Sequence, residues 1–157
     1  MEARHVSLRP LDSGDLDIVM RLWTDPAVRK YLGGPLTDPG SVKRRFDGML
    51  AATRGEGRFF AVESEGRACG IVSIDRYHDG VRHELSYQFI PEAWGRGIAS
   101  RAIMELLGNE ASRYRRLVAE TQEANVASRR LLRRLGFREI ARLSRFGARQ
   151  VVYELKK

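Results

Sequence analysis

The stretch PEAWGRGIAS, residues 91–100, constrains this chain more than any other. It lies between a strand-like run, HELSYQFI, and a segment in which Ala99, Ala102, Ile103, Leu106 and Leu107 recur at the spacing of one helix face. A strand that passes through Gly-x-Gly into a helix presents unpaired backbone N–H groups at the helix N-terminus, where the macrodipole also favours negative charge. Gly95 and Gly97 let a bulky anion approach, and Arg96 between them adds a fixed positive charge. A tight strand-to-helix connection asks for glycine on steric grounds too, so the pair alone reads either way. No Gly-Lys-Ser/Thr follows, which excludes a Walker loop, and the third glycine of the dinucleotide fingerprint is missing.

The rest of the chain supplies the frame. HVSLRPL alternates like a strand, and SGDLDIVMRLWTD follows with Ser and Asp available to cap a helix. GGPLTDPGS reads as a loop leading to a second helix through VKRRFDGML. RFFAVES, CGIVSIDRY and HELSYQFI are strand-like runs separated by EGR and HDG, the turn chemistry of antiparallel hairpins. After the helix at residue 98 come a short strand, RLVAET, and a helix, NVASRRLLRRLGF, with Asn125 as cap and Gly136 as stop. REIARL and QVVYELKK close the chain as strands. The pattern predicts one α/β domain over residues 1–157, with a mixed, mostly antiparallel sheet flanked by helices.

Charge and composition exclude several classes. At 157 residues and 43% hydrophobic, the chain suits one ordinary core, and no stretch approaches the roughly 20 apolar residues of a membrane span. MEARHVSLRP carries charge where a secretory signal would carry an apolar run, so a cytoplasmic protein is expected. Cys69, the single cysteine, permits neither an internal disulfide nor a zinc cluster, no metal is expected, and in ACGIVSI it reads as a small buried hydrophobe. Of the net charge of +8, residues 96–157 hold 15 basic and 6 acidic side chains, whereas residues 1–95 hold 13 and 14. Such a field suits a small polyphosphate ligand or nucleic acid. A nucleic-acid-binding module is the rival class, but the chain lacks interleaved aromatics, a DNA-reading motif or a basic tail.

WGRGIAS after a strand, followed about 25 residues later by NVASRRLLRRLGF, resembles the GNAT superfamily of acetyl-CoA-dependent N-acetyltransferases. The resemblance is strongest to the branch of ribosomal-protein N-terminal acetyltransferases (RimJ/RimL-like). On that family's cofactor loop, Gln/Arg-x-x-Gly-x-Gly/Ala, Gly97 and Ala99 fill the small positions and Trp94 replaces Gln/Arg, as is usual in that branch. Asn125, Ser128 and Leu135-Gly136-Phe137 match the later motif, and VSLRPLDSGDLDIVMRLWTDPAVRKYL extends the likeness over nearly the whole chain.

The resemblance implies a sheet whose fourth and fifth strands splay apart to admit the pantetheine arm of acetyl-CoA as an extra strand. Main chain at Phe89 and Ile90 would pair with it, its pyrophosphate would rest on Gly95, Arg96, Gly97, Ile98, Ala99 and Ser100, and Asn125 would touch the arm. A plain helix cap would account for Asn125 as well. The acceptor would be a primary amine, and a protein N-terminus is the default of the branch; a small amine or an aminoglycoside is the alternative. A homodimer stays open, and no membrane partner is expected.

The amine must be neutral to attack a thioester. At pH 7 this costs an α-amine of pKa near 7.8 about 1 kcal/mol, and a lysine near 10.4 about 4 to 5 kcal/mol. Glu84, on a strand face with Ser86 and Gln88, is the candidate base, because the family often places a carboxylate on that strand; a structural carboxylate is the other reading. Many GNAT enzymes carry a tyrosine acid seven residues after the motif asparagine, where this chain has Leu132. Ser128 remains as donor to the sulfur, on a stripe with Leu131, Leu132 and Leu135, unless it is simply a small packed residue. His5 and His78 read as surface residues, His83 as structural, and Arg129, Arg130, Arg133 and Arg134 as a solvated face. Asp38 and Asp47 are carboxylates that a polycation could use. With no base beside Cys69 in sequence, direct transfer without an acetyl-enzyme is expected.

Overall fold

Backbone pairing follows the alternation in the sequence closely. A computed structural model describes residues 5–53, 58–110 and 113–156. Its strands are β1 (Val6–Pro10), β2 (Arg58–Ser64), β3 (Arg67–Arg76), β4 (His83–Phe89), β5 (Arg116–Gln122), β6 (Arg138–Arg145) and β7 (Ala148–Lys156). They form one seven-stranded sheet in the order β1-β2-β3-β4-β5-β7-β6. Every neighbouring pair is antiparallel except β4 and β5, which run parallel. The first four residues, part of the stretch read for export, lie outside the described residues.

Among the described residues, four α-helices accompany the sheet: α1 (Leu16–Thr24), α2 (Pro39–Thr53), α3 (Ile98–Asn109) and α4 (Val126–Arg134). A reciprocal capping box between Asp12 and Asp15 starts the 3₁₀ turn that leads into α1. Asp25, extended before Pro26, ends that helix. Ile18, Val19, Leu22 and Trp23 are its buried face, and Val42 and Phe46 are that of α2. On α3, Ala102, Ile103, Leu106 and Leu107 are buried as their spacing predicts. The main core joins these faces to the sheet, and a smaller cluster of Tyr77, Val118 and Val152 lies apart from it. Among the described residues no helix is long and apolar enough to cross a membrane.

The parallel pair is the feature that matters for function. β4 and β5 bridge only through His83 with Leu117 and Glu84 with Val118, at the start of both strands. Beyond Glu84 the strands part, as expected, while β4 keeps its register with β3 to Phe89. Gly70 makes that register possible. A Cβ on it would stand 2.6 Å from the Gln88 carbonyl oxygen and overlap the Phe89 ring, so no side chain fits between β3 and the end of β4.

Candidate active site

The glycine loop crosses the end of the splayed gap. Gly95 and Gly97 hold left-handed φ angles of +70° and +75°, a conformation that penalises side chains. A Cβ built on either meets nothing within 4 Å. Both glycines therefore answer a backbone demand, under open space. Gly97 is the N-cap of α3 and offers no side-chain cap to the first-turn N–H groups, which have no partner within the helix. Arg96 is exposed beside them, and Ala99 and Ser100 are half-buried. Ile98 is buried in the core, so its side chain anchors the loop and its main chain alone can meet a ligand. Trp94 ties the loop to the strand, its indole N–H donating to the Phe89 carbonyl at 2.9 Å.

The two residues expected to pair with an added strand differ. Ile90 donates its N–H to the Cys69 carbonyl at 2.9 Å and accepts from Ala93 N–H at 2.9 Å. Both of its main-chain groups already serve the protein. Because strand groups alternate in direction, the N–H of Phe89 faces the opposite edge, toward the gap. Of the two, only Phe89 has its N–H on the side where such pairing would fall, and the Ile90 hydrogen bonds fix that direction. An open cradle of amides, a neighbouring arginine and a free strand edge together fit an elongated donor with a pyrophosphate at one end and an amide-bearing arm.

α4 closes the other side of the gap. Asn125 Oδ1 accepts the Ser128 N–H at 3.2 Å, the cap its position predicts. Ser128 Oγ lies 2.5 Å from the hydroxyl of Tyr87, which reaches across from β4. Burial pushes the Tyr87 phenol up to about 12, against the opposing effect of the Ser128 hydrogen bond. Tyr87 was not a candidate from sequence. Its alternation with Glu84 was readable, but not which helix it would face. The arginine face needs one correction: Arg129 is not solvated, since it donates to the Tyr153 hydroxyl and the Glu123 carbonyl, both at 3.1 Å. Arg130, Arg133 and Arg134 are exposed as expected.

Glu84 lines a cleft of about 210 Å³ with Ser86, Tyr87 and Gln88 of the same strand and with Trp23, Met49 and Phe59. Its carboxyl is pushed from 4.5 up to about 7, first by burial and then by Glu120 and Asp75, with Arg145 pulling the other way. Glu120 is held in place by the Tyr77 hydroxyl at 2.5 Å and by Arg145 at 2.7 and 3.0 Å. In the same cleft side chains, Trp23 Nε1 and Gln88 Oε1 are buried with no hydrogen-bond partner among the described residues. His83 packs its ring at a tilt against that of Tyr114 and His78 is exposed, both as expected. Cys69 is buried, and burial raises its thiol pKa, so it is no activated nucleophile. Asp38 and Asp47 pair with Arg44 and Lys43 and do not line the cleft.

A sheet opened between parallel strands, with an anion cradle at one end and a near-neutral carboxylate behind it, defines a group-transfer domain that holds a phosphorylated donor against an acceptor. Residues 5–138 match the acetyltransferase (GNAT) domain family. The chain belongs to that family and is an acetyl-CoA-dependent N-acetyltransferase. It is 29% identical over 144 residues to a protein named uncharacterized N-acetyltransferase p20 from Bacillus licheniformis, covering 85% of this chain and 79% of that one. The RimL ribosomal L7/L12 α-N-protein acetyltransferase superposes with a TM-score of 0.82 at 20% identity, covering 97% of this chain and 90% of that one. A ribosomal-protein-alanine N-acetyltransferase from Brucella melitensis superposes at 0.80 with 24% identity, over 96% and 99% of the two chains. The yncA protein from Salmonella typhimurium, solved with its cofactor acetyl-CoA, gives 0.79 at 21%, over 96% and 93%.

Proposed function

We propose that the protein acetylates the α-amino group of a polypeptide N-terminus. The observation that carries this reading is the pairing of Glu84 with two orphaned polar atoms in one cleft. A carboxyl that titrates near 7 suits an α-amine, whose own pKa lies near 7.8, far better than a lysine near 10.4. The Trp23 N–H is a donor and the Gln88 carbonyl an acceptor, the complement of a peptide unit. A simple amine would leave both unpaired, at about 1–3 kcal/mol each. The RimL and ribosomal-protein-alanine neighbours act on such N-termini by name, which supports the same acceptor class.

The chain's residues divide the work by position. The amides of Gly95 to Ser100 hold the donor's pyrophosphate, and Phe89 aligns its arm. Bound acetyl-CoA supplies the activated acetyl thioester. Glu84 receives the proton of the acceptor ammonium, directly or through one water, and Ser128 offers its hydroxyl to the departing sulfur. Proximity in a ternary complex then supplies much of the rate.

The test is a panel of acceptors followed by thiol release from acetyl-CoA. Peptides with free N-termini should turn over best, with turnover lost on blocking the terminus. Trp23→Phe and Gln88→Leu should raise KM for peptides and leave it unchanged for small amines. Preference for lysine side chains, polyamines or aminoglycosides would overturn this reading.

A further inference from the structure

The Tyr87–Ser128 contact spans the gap between β4 and α4, 41 residues apart in sequence, where the two parallel strands no longer touch. We infer that Tyr87 is a positioning residue for the leaving group: its phenol donates to Ser128 Oγ and so reserves the single Ser128 proton for the sulfur. This rests on the role proposed above for Ser128.

The direction of the hydrogen bond follows from acidity. A phenol is the stronger acid of the two hydroxyls and is therefore the donor when they share one short bond. A serine on a helix otherwise tends to donate back to the carbonyl four residues earlier. With its N–H held by Asn125 and one lone pair filled by Tyr87, Ser128 keeps its O–H available for another acceptor. When the C–S bond breaks, its electron pair goes to sulfur, and the Ser128 O–H stabilises that charge. Tyr87 keeps its proton, because its phenol titrates near 12 while a thiol like that of cysteine titrates near 8.5. The thiolate is protonated afterwards from water.

The experiment compares Tyr87→Phe, Ser128→Ala and the double variant. Thiol release is measured with whichever amine the protein turns over, so failure of the peptide reading would change the acceptor and not these ratios. Tyr87→Phe should lower kcat about 10- to 100-fold, the range for losing the Ser128 hydrogen bond to the developing charge, with KM for acetyl-CoA within about twofold. The double variant should be no slower than Ser128→Ala. An oxygen-ester analogue of acetyl-CoA, with a worse leaving group, should enlarge the Tyr87→Phe penalty. Additive losses in the double variant, or an equal penalty on thioester and ester, would overturn the proposal. Melting temperatures and acetyl-CoA thermal shifts of all three variants identify a loss that comes only from misfolding; a kcat drop that tracks such a loss counts against it as well.

Discussion

Glu84→Gln should make the protein more stable and less active, and the two effects should have opposite pH dependence. The wild-type carboxyl titrates near 7 when folded, against 4.5 ordinarily, because it is buried and faces Glu120 and Asp75. A carboxyl raised in this way binds its proton more tightly in the folded state. Its contribution is intact below pH 4.5 and is lost as pH rises through about 7. Each pKa unit is worth 1.36 kcal/mol, so ionising Glu84 above pH 7 costs the fold about 3 kcal/mol. Glutamine keeps the shape without the charge. At pH 8 the variant should gain up to about 3 kcal/mol, or about 6–12 °C in a domain of this size, and at pH 4 it should match wild type. Its kcat at pH 7 should fall about 100-fold or more, with less loss as pH rises and the α-amine neutralises itself. Thermal melts at pH 4, 6 and 8, with rate profiles from pH 6 to 9.5, measure both. A melting difference that does not change with pH would refute the burial argument. A rate loss that does not change with pH would refute the base assignment.

Other substitutions probe the remaining parts. Gly97→Asp places a like charge in the pyrophosphate seat, in a left-handed backbone, and should abolish the rise in melting temperature that millimolar acetyl-CoA gives wild type; an undiminished rise would remove the loop from the binding site. Gly70→Ala must push β4 away from β3 and should cost about 1–3 kcal/mol while weakening acetyl-CoA binding through Phe89, so a neutral result in both assays would contradict the close approach. Cys69→Ala should stay active, initial-rate plots in the two substrates should intersect, and mass spectrometry with acetyl-CoA alone should find no acetyl adduct; parallel plots with a labile adduct would mean a covalent route.

The elements were legible in the sequence because their signals are local. Helix faces at 3.6-residue spacing, strand alternation, the cap at Asn125 and the glycines at 95 and 97 all follow from the backbone of a few consecutive residues, whereas the cap before the first helix falls on Asp12, one residue ahead of the stretch that offered Ser and Asp. The loop proposed to hold the pyrophosphate was legible with them, since it is made of one turn and the helix after it. Glu84 was readable as a carboxylate on a particular face, and no more. Its titration near 7 depends on Glu120 from β5, Asp75 from β3 and Arg145 from β6, which only the strand order brings together. The same holds for Tyr87, whose partner lies on a helix three labelled elements later, and for Arg129, which turns inward because Tyr153 of β7 is within reach. Ile90 gives its N–H to Cys69 because a register with β3 puts them side by side. Sequence determines which groups a segment presents and to which side. What those groups meet, how dry the place is and which charges share it are set by topology and register, because contact, burial and Coulomb interaction depend on distance in space and not along the chain.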